Sequence, residues 1–260
     1  MLELRGVGWS ANGAVILDGV DLTPTPNAFT AVLGPNGAGK STMLRIAAGL
    51  LPPTRGEVLW DGTAIARRSA AQRAKVRAVL SQHAEPAFPL TAGEVVEMGR
   101  YPHYERTPSA RDREAVRQAL DRVGMTAMRD RAFSTLSAGE RQLVQMARVL
   151  AQIDASGEPG RRLLFLDEPT SALDVRHQLE LLTLARGLLA GHVTVFAVLH
   201  DLNLALEFAD DVVLMRGGRV VHVGPARPGP SAELLERVYE VRAHRARDPE
   251  TERDYWRFGL

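Results

Sequence analysis

The sequence predicts an α/β fold, and three observations carry that prediction. Apolar runs at residues 29–33, 163–166 and 193–199 have the length and composition of buried strands. A leucine-rich helical stretch separates the last two, and strands alternating with helices build a largely parallel sheet. From Thr91 onward the chain changes to helical periodicity, which predicts a helical subdomain inserted into the α/β core over residues 91–160.

The elements follow in order. Residues 41–50 turn helical through Met43, Leu44, Ile46 and Ala47, and Pro52-Pro53 is expected to stop them. Residues 56–62 read as a strand running into a turn. In the helical stretch Val116, Ala119, Leu120 and Val123 share one face, and Leu143, Met146, Ala147 and Leu150 repeat that spacing. The polar residues 154–160 close the stretch as a loop. Residues 211–215 and 219–223, joined by Gly217-Gly218, have the form of a hairpin, and Ser231 is placed to cap a last helix carrying Leu234, Leu235 and Val238. The expected organisation is one domain over 1–260: a core from 1–90 and 161–224, the helical subdomain at 91–160, and a helical C-terminal extension at 225–260.

Composition narrows the function classes. Of 260 residues, 45% are hydrophobic and 24% charged, which excludes a disordered chain. A formal net charge of +1 provides no general field for nucleic acid or anionic lipid, so the local arginines at 67–68 and 242–247 read as solvated surface. The absence of cysteine excludes disulfides, thiolate zinc sites and a cysteine nucleophile. The N-terminal residues do not read as a signal peptide, and no apolar run approaches the ~20 residues of a membrane helix, so any membrane role is expected to come through a partner.

Gly34-Pro35-Asn36-Gly37-Ala38-Gly39-Lys40-Ser41 satisfies the P-loop pattern between a predicted strand and a predicted helix. Its glycines let successive N–H groups turn toward phosphate oxygens, and the helix start adds its positive dipole end. Lys40 is expected to reach the β- and γ-phosphates, the Ser41 hydroxyl to ligate Mg2+, and Thr42 to add a hydroxyl near the α-phosphate. Further on, the strand at 163–166 ends in Asp167-Glu168 and is stopped by Pro169. Asp167 is expected to hold the magnesium shell opposite Ser41, and Glu168, off the strand end, to polarise an attacking water.

A P-loop alone leaves kinases, GTPases, helicases and transporters open. Leu136-Ser137-Ala138-Gly139-Glu140 resembles the signature of the ABC ATPases, although Ser137 and Glu140 also make an ordinary capping box. Other residues fit that family in order: Gln82 matches the Q-loop glutamine, residues 171–174 ending in Asp174 match the D-loop, and His200 matches the switch histidine. Trp9 stands where the family has an aromatic that stacks on adenine. Ala138 departs from the usual glycine pair, which is tolerable in helical φ/ψ, and Arg141 stands where glutamine is common.

The resemblance implies an ABC-ATPase fold of the P-loop NTPase type, with an antiparallel β subdomain and the inserted helical subdomain. It implies ATP and Mg2+ as ligands, with Gln82 touching the metal and His200 the γ-phosphate. It also implies a homodimer in which the P-loop of one copy faces Ser137, Ala138, Gly139 and Glu140 of the other. Gly99-Arg100-Tyr101-Pro102-His103 and the Val-Leu-Ala-Gln of 149–152 resemble the ATPases of iron-chelate importers, haem importers above siderophore and cobalamin importers. Such a subunit is expected on the cytoplasmic face of a bacterial inner membrane, with two permease subunits and, indirectly, a periplasmic haem-binding protein. His83, His103 and His200 show no spacing for haem ligation. A small-molecule kinase lacks the signature and D-loop, and nucleic-acid ABC ATPases carry coiled coils or a second cassette that this chain does not have.

Overall fold

The computed structural model describes residues 1–81, 88–104, 107–154, 160–171, 173–250 and 252–260. In chain order it holds β1 (Leu2–Ala11), β2 (Ala14–Leu22), β3 (Phe29–Leu33), α1 (Lys40–Ala47), β4 (Arg55–Trp60) and β5 (Thr63–Ala64). Next come α2 (Ala70–Val76), β6 (Arg77–Leu80), α3 (Ala92–Glu97), α4 (Ala110–Arg122), α5 (Ala138–Ile153), β7 (Arg162–Asp167) and α6 (Val175–Gly187). The chain finishes with β8 (Val193–Val198), α7 (Leu202–Phe208), β9 (Asp211–Arg216), β10 (Arg219–Pro225), α8 (Ala232–Tyr239), β11 (Arg242–Arg247) and β12 (Asp254–Gly259). Two compact units result, Met1–Ala66 with Phe196–Leu260, and Arg67–Val195.

In the first unit an antiparallel sheet runs in the order β2-β1-β4-β5. Leu4 faces Leu22 and Val7 faces Val20 across its central pair, all four buried. In the other sheet of this unit β9 lies parallel to β3, and β10 antiparallel to β9. Every residue of β3 is buried, which is why it reads as an unbroken apolar run instead of an alternation. The Leu199 N–H donates to Val32 O (3.1 Å), so the chain leaving β8 passes beside the C-terminal end of β3. Helix α1 stops before Pro52-Pro53. Gly49, at φ +66°, closes it by donating to Ile46 O (2.9 Å) while Leu50 donates to Arg45 O (2.8 Å). The glycine, and not the prolines, is the stop signal.

The second unit is organised by α5, which is buried from Gln142 through Ala147 and again from Val149 through Ala151. It packs on α3, α4, β6 and β7, the last two paired in parallel. Because the helices share one core with these strands, the unit extends well past residues 91–160 on both sides. Capping boxes start α2, α3, α4 and α5, at Ser69–Gln72, Thr91–Glu94, Ser109–Asp112 and Ser137–Glu140. Among the described residues no helix is long and apolar enough to cross a membrane.

The segment Met98–His103 is a tight helical turn laid on the end of α5. A Cβ on Gly99 would lie 2.2 Å from Arg148 O, so only glycine permits this approach. Arg100, 3% exposed, donates to Ala151 O (2.6 Å) and Asp154 O (3.2 Å) and pairs with Asp112 at 3.0 Å. His103 Nε2 lies 2.8 Å from Gln152 O. Carbonyls at a helix C-terminus have no partners within the helix, and here a buried cation and an imidazole take them. Desolvation pushes the Asp112 carboxyl up, but hydrogen bonds from Ser109 and Arg100 outweigh it and hold the group below its ordinary value.

One expectation is corrected at the C-terminus. Residues 225–260 are not helical throughout: α8 ends at Glu240, which adopts φ +59°, and an antiparallel hairpin of β11 and β12 follows. Each strand buries one residue, Ala243 in β11 and Trp256 in β12, among exposed neighbours. Asn203 of α7 clamps it, accepting from Trp256 N (2.8 Å) and donating to Trp256 O (3.1 Å).

Arg100→Met leaves the Asp112 carboxylate buried without its cation and is expected to lower stability by about 3 kcal/mol. Adding Asp112→Leu to it should recover part of that loss in urea unfolding, the remainder being the Ser109 capping box and the carbonyls that Arg100 held.

Candidate nucleotide site

Strand β3 delivers the chain to the glycine-rich loop, and α1 takes it away. Gly34 has φ +146°, and a Cβ there would lie 2.2 Å from Met215 O of β9. Gly39, at φ +93°, would place a Cβ 2.7 Å from Leu17 Cδ2 and 2.9 Å from Ile16 O of β2. The loop is therefore packed by neighbouring strands at both ends. Its middle is open: Gly37 has φ +79° and nothing within 4 Å of a Cβ position. Lys40 is buried, with Nζ donating to Gly34 O (2.8 Å) and Pro35 O (3.0 Å), so its ammonium is held inside the loop's curve. Ser41 and Thr42 stand half-buried in the first turn of α1, at the positive end of the helix.

Two other expected residues belong to this unit. Trp9, half-buried in β1, lies opposite Leu17, the residue that backs Gly39. His200 is exposed just beyond β8, where the chain passes the end of β3 that leads into the loop. Strand C-terminal ends are where open α/β sheets bind ligands. Tyr239 of α8 is a residue that sequence reasoning missed. Burial pushes its hydroxyl up to about 12, against the opposing influence of the Gly34 backbone N–H.

In the second unit β7 carries Asp167 to its end, 8% exposed. Glu168 follows at φ +51°, left-handed backbone that is uncommon outside glycine. The turn is braced by Ser171, whose N–H and hydroxyl both donate to Glu168 O (3.3 and 3.1 Å). Such backbone strain clusters at functional positions, where it aims a side chain. Gln142 of α5, buried, donates to Pro169 O (3.1 Å) and ties the acidic turn to the signature helix. No single-sequence signal marks this glutamine, since its partner is a backbone carbonyl 27 residues away.

The signature residues form the start of α5. The Ser137 hydroxyl accepts from Glu140 N (3.2 Å), and the Glu140 carboxylate accepts from Ser137 N (2.7 Å), which holds Glu140 below its ordinary pKa. Ala138 and Gly139 are the first helical residues, so the methyl of Ala138 meets no backbone strain. Ser137 and Ala138 are exposed, leaving this helix N-terminus accessible. Arg141 donates to Leu136 O (2.8 Å) and so secures the turn before the helix. Asp174 caps α6, accepting from His177 N (2.9 Å), a structural task that the sequence reading did not foresee. Gln82 lies outside the described residues.

A phosphate loop closing on its own lysine, together with an acid-tipped strand tied to a capped Leu-Ser-x-Gly helix, defines an ABC-type ATPase. Comparison with known proteins agrees. The family model for ABC transporters matches residues 17–171. A hemin import ATP-binding protein HmuV of Agrobacterium fabrum is 41% identical over 242 residues, covering 93% of this chain and 92% of that protein. Its counterparts in Gloeobacter violaceus and Bordetella pertussis are 45% and 44% identical, covering 86% and 93% of this chain and 82% and 93% of their own lengths. Among solved structures, a metal-chelate type ABC transporter in an inward-facing conformation has a TM-score of 0.80 at 26% identity, covering 99% of this chain and 96% of that one. A dimeric bacterial ABC transporter cassette has a TM-score of 0.75 at 28% identity, covering 87% and 99%. The chain belongs to the ABC transporter family.

The two loop glycines predict different variants. Gly34→Ala, forced against Met215 O, is expected to unfold the first unit in thermal denaturation. Gly37→Ala keeps its space and should cost only about 1–2 kcal/mol of backbone strain. It is expected to remain folded by circular dichroism while binding a fluorescent ATP analogue up to about tenfold more weakly, as the free loop relaxes out of the left-handed conformation that binding must restore at about 1.4 kcal/mol.

Proposed function

We propose that this chain is the ATP-hydrolysing subunit of a bacterial importer that takes up haem through a membrane permease. The observation that carries this reading is the match, over most of the chain, to proteins named for hemin import in three organisms.

In this reading the P-loop N–H groups and Lys40 hold the ATP phosphates. The Ser41 hydroxyl and Asp167 carboxylate are hard oxygen donors of the kind that suits Mg2+, with Gln82 as a further ligand. When bound, Mg2+ neutralises charge on the β- and γ-phosphates. Glu168, aimed by its left-handed backbone, orients the attacking water, and His200 contacts the γ-phosphate. Trp9 stacks on the adenine. Asp174 serves the nucleotide side of the D-loop while capping α6.

The exposed N-terminus of α5 closes on the ATP of a second copy through Ser137, Ala138, Gly139 and Glu140, where the helix dipole favours the γ-phosphate. ATP therefore shifts the population toward a closed homodimer, and hydrolysis releases it. Two permease subunits receive that motion at the cytoplasmic face of the inner membrane, and a periplasmic haem-binding protein supplies the cargo. Cargo choice belongs to those partners. His103, held against Gln152 O, serves the fold and not haem.

Glu168→Gln is expected to lower kcat by at least about 100-fold, within the range by which positioned acid–base groups act, and to accumulate an ATP-bound dimer in gel filtration. Normal turnover in that variant would remove Glu168 from its assigned role. Vesicles carrying the chain with its permease and binding protein should accumulate haem on ATP addition, and ferric hydroxamate much less. The reverse preference would assign the transporter to siderophores.

A further inference from the structure

The loop of the β9–β10 hairpin sits directly behind the P-loop. The Gly218 N–H donates to Ala38 O (3.2 Å), and the Asp18 N–H of β2 donates to Gly218 O (3.0 Å). Gly218 adopts φ +78°, and a Cβ on it would lie 2.5 Å from Ile16 O and 3.1 Å from Ile16 C, so the turn is pressed against β2. The neighbouring Gly217, at φ +55°, has nothing within 4 Å of a Cβ position. An ion cluster fastens the outside of this joint. The Asp18 carboxylate accepts from Arg219 Nε (3.1 Å) and Nη2 (2.5 Å), and from Arg55 Nη2 (3.1 Å). None of these side chains belongs to the phosphate loop itself.

The consequence follows from peptide geometry. In a trans peptide the C=O and the following N–H point in opposite directions. Gly218 holds the Ala38 carbonyl on the outer side of the loop, so the Gly39 N–H is turned to the inner side, where phosphate oxygens bind. A loop held this way meets the anion with its donor already oriented, and the ordering cost is not met at binding.

We propose that Gly218, Asp18 and Arg219 are positioning residues of the phosphate loop, acting through the Ala38–Gly39 peptide. The proposal rests on ATP binding at the P-loop, which the affinity of the unaltered chain measures separately.

The test uses the full chain with a fluorescent ATP analogue, steady-state ATPase kinetics in the assembled transporter, and thermal unfolding. Asp18→Arg and Arg219→Asp each place like charges at an exposed joint. Each is expected to weaken nucleotide binding and raise KM for ATP roughly tenfold, as small misplacements of binding groups do, with kcat changed about twofold at most. Their melting temperatures should stay close to that of the unaltered chain. The double variant Asp18→Arg/Arg219→Asp restores an ion pair of opposite sense, with Arg55 left beside the new arginine, and should recover part of the affinity. Gly218→Ala is expected to lose more affinity than Gly217→Ala, which stands in the same turn without the contact. Parent-like affinity in both charge variants would overturn the proposal, as would no recovery in the double variant. Equal effects at Gly217 and Gly218 would also overturn it. Should Gly218→Ala fail to fold, the charge exchange decides alone.

Discussion

The first unit depends on how closely other backbone approaches the glycines of the phosphate loop. Met215 O occupies the place where a side chain on Gly34 would sit, and Ile16 O and Leu17 do the same at Gly39. These contacts require β9 to run beside β3 and β2 to reach across behind α1. The buried strands and the antiparallel sheet of this unit thus serve one end, a short loop with a fixed curve. Lys40, buried and bonded to two carbonyls of that loop, ties the start of α1 back onto the same curve.

In the second unit the corresponding constraint is α5. Its N-terminus carries the signature residues, its first turns hold the acidic strand end through Gln142, and its last carbonyls are gripped by Arg100 and His103. The helix is therefore anchored at both ends and buried between. This arrangement gives a physical content to the Gly-Arg-Tyr-Pro-His segment, whose likeness to iron-chelate importers is otherwise only a pattern. Glycine allows the close approach, arginine and histidine satisfy the helix end, and Tyr101 remains exposed.

Much of the candidate site was legible because its motifs are local. A P-loop is a contiguous stretch whose glycines, lysine and hydroxyls all serve one ligand, and Asp167-Glu168 stands at the end of an apolar run. The strands at 29–33, 163–166 and 193–198 were legible for the same reason, burial on both faces leaving no polar alternation. The C-terminal hairpin was not legible. Its arginine-rich strands bury only Ala243 and Trp256 as large or apolar anchors, too few for a periodic signal. The end of α1 was misassigned because two prolines are a louder punctuation than one glycine, although the glycine acts first.

The sequence by itself determined the α/β class, the P-loop pattern between strand and helix, and the order of the candidate residues, since each motif is written in adjacent positions. Only the tertiary structure decided which backbone atoms stand behind the loop, that Glu168 is turned by left-handed geometry, and that Gln142 joins the signature helix to the acidic turn. It also decided that Gly218, more than 175 residues from the loop it supports, reaches Ala38. The reason is physical: hydrogen bonds to main-chain carbonyls are indifferent to the side chain that carries them, so they leave no residue type for a sequence to display.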